Sequence, residues 1–322
     1  MKKLIGIVGI DKKKINFLKR KYKRFDFKIV NDSNIFDEST KKINALLVLY
    51  EYPVAKKLSL LLKQEYKKFK NIDWLHLSRA GIDECLPYLK NYKFVFTSGK
   101  KIQGPNVSEH CMSILLCLTR GIISFIDVDF TKKKMNKFRP TEILGKKILI
   151  LGLGGIGMQI AKKIYSFGGK VYSIDYKDAK SKFVIKNYKL NDLSKVVKKF
   201  DIVINALPYT MMTKNLFDKK IFKVMKDGVF FVSVSRDQII NLKDLHQFLN
   251  KGKFGGVGID NTGSIKMKKK IFFNPNKNLL ITDHLAGITT NLDRREKLLE
   301  KNIFLYYNRK KLINVINTKR QY

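Results

Sequence analysis

The sequence predicts an α/β protein built from two doubly wound domains, each a parallel sheet covered by helices. The chain has 322 residues, which is long for one domain and sufficient for two that each bury a core. Short runs rich in Val, Ile and Leu are followed repeatedly by longer amphipathic stretches, as expected for β-α-β units. A long apolar segment divides these runs into two sets, and this division predicts two domains.

The short apolar runs are predicted to be strands. The first set comprises 4–8, 27–30, 45–49, 74–77 and 94–97, and the second comprises 147–151, 170–174, 202–206, 229–233, 256–259 and 279–282. A helix is predicted between the sets, at 105–123, because Pro105 suits a helix start. Its apolar content requires burial against a neighbouring domain or a second subunit. A closing helix is predicted at 292–308, packed on the first half of the chain.

The composition excludes several classes of protein. The net charge is +39, yet only 10 of the 66 basic residues are Arg, a side chain on which phosphate and base recognition depends heavily. The lysines are spread through every segment, so we expect solvated faces and no nucleic-acid partner. No apolar run approaches the roughly 18 residues that span a bilayer, so no membrane association is expected. Three cysteines, without CxxC or metal-ligand spacing, predict a reducing, cytoplasmic location and no metal site.

The strongest local signal is a glycine-rich turn. The predicted strand 147–151 runs directly into Gly152, Gly154 and Gly157 at the spacing GxGxxG, and a helix is predicted from 158 to 167. Gly152 permits a tight turn, Gly154 lets the backbone approach a pyrophosphate, and Gly157 lets helix and strand pack closely. N–H groups at the helix start attract phosphate. This context predicts a dinucleotide site of the Rossmann type; the alternative is a purely structural glycine turn.

An acidic residue indicates which dinucleotide is bound. Asp175 follows the next predicted strand, about the 20 residues downstream at which a ribose-binding acid stands in such folds. A carboxylate there accepts hydrogen bonds from the adenosine ribose hydroxyls and repels a 2′-phosphate, which favours NAD over NADP. Lys177 lies close enough in sequence to weaken that preference.

From about residue 99 onward the chain resembles the D-isomer-specific 2-hydroxyacid dehydrogenase family. The segment 104–110 (GPNVSEH) is similar to the one that opens the family's long interdomain helix. The segment 206–210 (ALPYT), with Thr213, is similar to the family's LPLTxxT loop beside the cofactor. Residues 225–236 resemble the approach to its catalytic arginine, and 258–260 (GID) fit its next strand end. Residues 283–287 (DHLAG) resemble its catalytic histidine segment, usually PHxAG.

The resemblance implies NAD-dependent interconversion of a small 2-oxo acid and a D-2-hydroxy acid, of the glyoxylate, hydroxypyruvate or phosphoglycerate type. Arg236 would bind and polarise the substrate, and His284 would act as acid and base. As bare sequence, these two residues are also compatible with a surface ion pair and a loop position. The substrate carboxylate is expected at the backbone N–H groups of the loop that contains Arg79, Ala80 and Gly81. The Arg79 side chain either adds charge there or is simply solvated. The residues expected at the cofactor are Gly152, Gly154, Gly155, Ile156, Gly157, Asp175, Leu207, Pro208, Thr213 and Asp260.

One position departs from the family's pattern. The family carries a glutamate, paired with the catalytic histidine, in the register that Ile265 occupies here, and no acid occurs between Asp260 and Asp283. A histidine without a neighbouring carboxylate loses the charge that raises its pKa. Asp283 is a possible substitute, although adjacent side chains usually point apart in an extended segment. The rival hypothesis is therefore a catalytically weak NAD-binding sensor or interaction protein on the same fold.

The predicted architecture is two doubly wound domains, Rossmann-like and flavodoxin-like, with the active site in the cleft between them. Residues 1–98 with 290–322 are assigned to the substrate (catalytic) domain, and 99–289 to the NAD-binding domain. A homodimer is expected, from the apolar helix at 105–123 and from the family's habit.

Overall fold

The computed structural model describes residues 2–31, 42–49, 71–81, 93–125, 140–177, 181–260, 278–291 and 293–317. The chain divides into two compact units, Met1–Ile102 with Thr289–Tyr322 (unit 1) and Gln103–Ile288 (unit 2). These limits differ by a few residues from the predicted ones. Among the described residues, no helix combines the length and the apolar character needed to cross a membrane.

The described part of the chain contains twelve strands and seven helices. In chain order they are β1 (Lys3–Val8), α1 (Lys12–Lys21), β2 (Phe25–Val30), β3 (Ala45–Val48), β4 (Trp74–Leu77), β5 (Val95–Ser98), α2 (Gly104–Thr119), β6 (Lys147–Leu151), α3 (Gly155–Ser166), β7 (Lys170–Ile174), β8 (Lys186–Tyr188), α4 (Leu193–Val196), β9 (Ile202–Asn205), α5 (Lys219–Val224), β10 (Val229–Ser233), α6 (Leu242–Asn250), β11 (Phe254–Asp260), β12 (Leu279–Thr282) and α7 (Asp293–Tyr307). Single 3-10 turns lie at Ile122–Phe125, Leu190–Asp192, Val197–Lys199 and Asp237–Ile239.

Unit 1 contains a five-stranded sheet in the order β2-β1-β3-β4-β5. All neighbouring strands are parallel, and this order is the flavodoxin-like form of a doubly wound sheet. Every residue of β3 and β4 is buried, as expected for parallel strands covered on both faces. Ile15 and Leu18 of α1 share one apolar cluster with Leu299 and Ile303 of α7. The last helix therefore belongs to the core of the first 102 residues.

Unit 2 contains a seven-stranded parallel sheet in the order β12-β11-β10-β9-β6-β7-β8. The chain passes from β6 outward to β8, returns to β9, and continues outward to β12. The direction of winding therefore reverses between β6 and β9, and ligands of doubly wound sheets bind at the carboxyl ends of the strands at such a reversal.

The apolar helix α2 is buried within its own unit. It packs against α3, β10 and β11. The contact with β11 is close, because a Cβ added to Gly258 would lie 2.1 Å from the side chain of Ile114. The apolar content of α2 is thus explained without a second subunit, which corrects one reason for expecting a dimer. The helix also ends at Thr119, earlier than predicted.

The two ends of unit 2 lie side by side. A Cβ added to Gly287 would lie 3.8 Å from Nε2 of Gln103. The side-chain amide of Asn106 donates a hydrogen bond of 2.9 Å to the carbonyl oxygen of Ala286. The first turn of α2 is therefore attached to the segment that follows β12.

Candidate active site

The residues predicted to act in unit 2 follow its strands at one edge of the sheet. The register pairs Leu151 with Asn205, Asn205 with Ser233, and Asp260 with Thr282, so the carboxyl ends of these strands are level. Across the sheet from β12 to β7, this edge carries His284, Asp260, Arg236, Leu207 with Pro208, the glycine turn and Asp175. Strand spacings of about 4.8 Å extend the row over about 24 Å.

Each glycine of the turn meets a different steric requirement. Gly152 has a φ of +91°, and a Cβ there would lie 2.8 Å from the carbonyl oxygen of Ala206. A Cβ on Gly157 would lie 1.7 Å from the carbonyl oxygen of Gly152, whereas one on Gly154 would meet no atom within 4 Å. The helix α3 starts at 155, not at the predicted 158, and Gly154 supplies no capping side chain. The first-turn N–H groups, at 155–157, therefore stand at an uncapped helix end beside open space.

Asp175 is fixed at the edge of this turn. Its Oδ2 accepts a hydrogen bond of 2.7 Å from the N–H of Leu153, and its Oδ1 accepts one of 3.0 Å from the N–H of Lys177. Each carboxylate oxygen has two lone pairs, so these bonds leave the capacity to accept ribose hydroxyls. Asp175 thus holds the middle of the glycine turn as well as standing where a ribose is expected.

A buried amide joins the ends of β9 and β10. Nδ2 of Asn205 donates to Oγ of Ser233 at 3.0 Å, and its Oδ1 accepts the N–H of Leu207 at 3.2 Å. The hydroxyl of Ser235 donates to the carbonyl oxygen of Leu207. Asn205 and Ser235 therefore set the path of the loop that begins at residue 206.

Thr213 shapes the same loop from inside. It is buried, its hydroxyl donates to the carbonyl oxygen of Pro208 at 2.8 Å, and it accepts the N–H of Thr210 at 2.8 Å. The hydroxyl is thus engaged within the loop. A direct contact of Thr213 with the cofactor stays a prediction.

Arg236 stands three residues beyond the end of β10, immediately before the turn Asp237–Ile239. It is half-buried, and its Nη1 lies 3.3 Å from the carbonyl oxygen of Ser235, to which it donates. A guanidinium carries five N–H donors in one plane, which matches a carboxylate and a neighbouring carbonyl oxygen. Its place at a strand end, linked through Ser235 to the β9 loop, suits a substrate-binding cation.

His284 is exposed and lies two residues beyond β12, with a φ of +56°. This left-handed conformation is uncommon for a residue with a side chain, and such strain persists only where neighbours hold it. Here the neighbours bond to Asp260, which is 3% exposed. Its carboxylate accepts the N–H of Leu285 at 2.8 Å, the N–H of Ala286 at 3.2 Å and the hydroxyl of Thr282 at 2.8 Å. Asp260 therefore positions the histidine segment, while its predicted contact with the cofactor stays a prediction.

Arg79, Ala80 and Gly81 belong to unit 1 and follow β4 directly after Ser78. The carbonyl oxygen of Arg79 accepts the N–H of Gly99 at 2.9 Å. A Cβ on Gly99 would lie 2.0 Å from the carbonyl oxygen of Ser78. The loop is therefore packed closely against the end of β5; its continuation, 82–83, lies outside the described residues.

A buried polar chain supports that loop from below. Nε1 of Trp74 donates to the Thr97 hydroxyl at 2.8 Å, and this hydroxyl lies 2.8 Å from Nδ1 of His76. Nε2 of His76 lies 3.3 Å from the Ser78 hydroxyl. Burial lowers the pKa of His76 to about 4, so the ring is neutral at physiological pH. It therefore acts on the loop through hydrogen bonds and not through charge.

Sequence reasoning missed several residues that support the site. Asn106 and His110 lie in the segment 104–110 that carries the family resemblance, yet nothing in the sequence gave them a role. Only Asn205 could have been noticed in the sequence, because it is a polar residue that ends a buried apolar strand.

Ile265, in the register of the absent glutamate, lies outside the described residues. Across the described ranges, no group of three or more His, Cys, Asp or Glu side chains is arranged to hold a metal.

The carboxyl edge of unit 2 fits a dinucleotide. The uncapped helix end beside Gly154 suits a pyrophosphate, and Asp175 suits a ribose. The fold and this row of residues define the class of nucleotide-dependent oxidoreductases with a Rossmann-type unit.

Comparisons with known proteins identify the family. The model of "D-isomer specific 2-hydroxyacid dehydrogenase, NAD binding domain" matches residues 112–286, more than half of the chain. Hydroxypyruvate reductase of Thermotoga maritima is 26% identical over 237 residues, covering 70% of this chain and 75% of that protein. Glyoxylate reductase of Pyrococcus furiosus is 27% identical over 246 residues, covering 72% and 67%. A D-isomer specific 2-hydroxyacid dehydrogenase family protein of Aeromonas salmonicida shares the fold, with a TM-score of 0.81, 22% identity and coverage of 98% and 99%.

This chain belongs to the D-isomer-specific 2-hydroxyacid dehydrogenase family. The matched region lies within unit 2, so this unit is the NAD-binding part of an oxidoreductase. The α/β fold class, the family and the cofactor predicted from the sequence are confirmed.

Proposed function

We propose that the protein reduces a small 2-oxo acid to a D-2-hydroxy acid with NADH, and catalyses the reverse oxidation with NAD. The observation that carries this proposal is the row of residues on the carboxyl edge of unit 2. Arg236 and His284 follow strands two positions apart, a separation of about 10 Å between strand axes. Side chains turned toward each other from these positions would enclose the space of a small acid, and the glycine turn follows β6, two strands beyond β10.

The residues of the chain divide the work of reduction. NADH, when bound, supplies a hydride to the carbonyl carbon of the 2-oxo acid. Arg236 donates hydrogen bonds to the substrate carboxylate and carbonyl oxygen and withdraws electron density from the carbonyl carbon. Protonated His284 transfers its proton to the carbonyl oxygen, which becomes the hydroxyl group, and takes the proton back in the oxidation.

The loop of unit 1 is proposed to bind the substrate. Arg79 and the N–H groups of Ala80 and Gly81 would donate hydrogen bonds to the carboxylate. Glyoxylate, hydroxypyruvate and phosphoglycerate-like acids are the candidate substrates. The support is the close packing of this loop on Gly99. We expect Arg79→Ala to raise KM more than it lowers kcat, because the residue holds a part of the substrate that does not react.

The test is NADH oxidation by the full chain with glyoxylate, hydroxypyruvate, pyruvate and longer 2-oxo acids, followed by chiral analysis of the product. We expect His284→Ala to lower kcat by about 10²–10⁴-fold and Arg236→Ala to lower kcat/KM by about 10²–10³-fold. His246→Ala, on α6, and Arg120→Ala, after α2, are matched controls expected to leave activity unchanged. If His284→Ala loses no more activity than His246→Ala, or Arg236→Ala no more than Arg120→Ala, the assigned roles are contradicted.

A second function is favoured by one sequence observation, the absence of an acid between Asp260 and Asp283. A protein that binds NADH but lacks efficient acid–base catalysis would act as a nucleotide sensor or interaction protein. Tight NADH binding without turnover of any 2-oxo acid would support this function over the first.

We also propose a cytoplasmic homodimer. The family resemblance supports the dimer, and so do three exposed apolar side chains of unit 2, Leu144, Tyr165 and Phe167. Light scattering at micromolar concentration tests the dimer, and a monomer contradicts it.

The low cysteine count supports a reducing location. Burial raises the pKa of Cys111 to about 12, so this thiol is unreactive.

A further inference from the structure

A histidine of α2 reaches the segment of His284 through a hydroxyl group. Nε2 of His110 lies 2.9 Å from Oγ1 of Thr282, and this hydroxyl lies 2.8 Å from Oδ1 of Asp260. The same Oδ1 accepts the N–H of Leu285 at 2.8 Å, and Nε2 of His110 lies 3.6 Å from it. His110 is partly buried, and no step of the proposed reaction uses it.

The chemistry of the groups fixes the direction of these hydrogen bonds. An ionised carboxylate only accepts, so the Thr282 hydroxyl donates its single proton to Asp260. The Thr282 oxygen is then the acceptor toward His110, and the proton of that bond lies on Nε2 of the imidazole. The donors therefore run from His110 to Thr282 to Asp260, and both the neutral Nε2–H form and the imidazolium satisfy this order.

These hydrogen bonds help to hold the backbone beside His284. The Asp260 carboxylate is almost fully buried, and its described bonds come from Thr282, Leu285 and Ala286. The last two donors are the residues directly after His284, whose φ of +56° needs support from its neighbours. A hydroxyl turned away from Asp260 would leave the carboxylate with one donor fewer and loosen its hold on this backbone.

We propose that His110 is a positioning residue for His284. By donating to Thr282 it orients the hydroxyl toward Asp260, and Asp260 then holds residues 285–286. The inference rests on the proposed function in one respect, since it takes His284 as the group that acts on the substrate.

Three substitutions of His110 separate hydrogen bonding from packing. A glutamine amide nitrogen reaches about as far from the backbone as Nε2, an asparagine amide nitrogen is one bond shorter, and leucine donates nothing. We expect His110→Leu and His110→Asn to lower kcat about tenfold, the effect of losing one hydrogen bond in a chain that ends on a charged acceptor. His110→Gln retains most of kcat, and all three keep the NADH Kd of the wild type. Glu109→Gln, at an exposed neighbour on α2, is the matched control and leaves kcat unchanged.

A double-mutant cycle tests the route of the effect. Thr282→Val removes the hydroxyl and keeps the side-chain shape, and we expect it to lower kcat at least as much as His110→Leu. Nε2 of His110 also approaches Oδ1 of Asp260 directly, at 3.6 Å. If His110 acts through the hydroxyl and not through this direct approach, the double variant has the kcat of Thr282→Val alone. Additive losses overturn the proposed route.

Amide hydrogen exchange supplies a measurement independent of activity. We expect the N–H groups of Leu285 and Ala286 to exchange faster in His110→Leu and Thr282→Val, and at the wild-type rate in His110→Gln. If the wild type reduces no 2-oxo acid, the proposed function fails, and amide exchange still decides the role of His110. The inference is overturned if Leu285 and Ala286 exchange at the wild-type rate in His110→Leu. It is also overturned if His110→Gln loses as much kcat as His110→Leu.

Discussion

Alanine at three glycines of unit 2 separates cofactor binding from folding. Gly154→Ala places a methyl group where no protein atom lies within 4 Å, and the local φ of −68° suits any residue. We therefore expect an unchanged free energy of unfolding. The methyl group stands before the uncapped start of α3, where it lengthens hydrogen bonds to a phosphate. A loss of about 1–3 kcal/mol of binding energy corresponds to an NADH Kd raised about 5- to 150-fold.

Alanine substitutions at Gly157 and Gly228 serve as comparisons for Gly154→Ala. A Cβ on Gly157 would lie 1.7 Å from the backbone oxygen of Gly152, so α3 must move from the turn. We expect Gly157→Ala to lower the free energy of unfolding by about 1–3 kcal/mol, as overpacking does, and to weaken NADH binding as well. Gly228 has a φ of +75° and open space around it. Gly228→Ala therefore costs about 1–2 kcal/mol of stability through backbone strain, and it leaves NADH binding unchanged because it precedes β10 at the opposite edge.

Thermal unfolding without ligand and NADH fluorescence titration measure the two effects separately. We expect Gly154→Ala to weaken NADH binding without lowering stability, and Gly228→Ala to lower stability without weakening NADH binding. Gly157→Ala is expected to do both. A Gly154→Ala variant with the wild-type Kd, or with a Tm as low as that of Gly157→Ala, would refute the placement of the phosphate at this helix end.

Three further predictions concern the cofactor, the acid–base group and a buried histidine. We expect Asp175→Ser to narrow the gap between NADH and NADPH affinity, since the carboxylate that repels a 2′-phosphate is gone; equal affinities in the wild type contradict this role. We expect Ile265→Glu to move the alkaline limb of the pH–rate profile upward by about one unit, because a nearby carboxylate favours protonated His284. If Asp283→Asn moves the limb downward and Ile265→Glu leaves it in place, Asp283 is the partner acid. Burial lowers the pKa of His76 from 6.5 to about 4, so between these values the unfolded chain binds a proton that the folded chain does not, and stability falls as pH drops through this window. His76→Gln should flatten the dependence of Tm on pH there; an unchanged slope shows that His76 does not contribute.

The strands were predictable because parallel strands are buried on both faces. The run 148–151 is fully buried, and its branched apolar residues mark it in the sequence. The strand β8, Lys186–Tyr188, was not predicted, because it is short and polar and lies at the sheet edge, where no apolar pattern is required. The end of α2 was predicted too late, since apolar residues continue past the break at Gly121.

Candidate site residues could be named from the sequence where the proposed role follows from the residue's own chemistry. Arg236, His284 and Asp175 follow strands and belong to types that bind anions, transfer protons or accept ribose hydroxyls. Residues that act by holding others were not predictable. His110 meets partners at 260 and 282, and a link over so many residues depends on the packing of α2 on β11 and β12, which no local pattern encodes.

Unit 2 is one uninterrupted stretch of chain whose entry and exit adjoin at Gln103 and Gly287, whereas unit 1 is assembled from two stretches. Recombination between related genes that exchanges residues 103–288 as a cassette moves the dinucleotide turn, Arg236 and His284 in a single event. Arg79 stays with the recipient. The dinucleotide turn and the residues proposed for proton transfer thus lie on one continuous stretch of chain, and the loop proposed to hold the substrate carboxylate lies outside it.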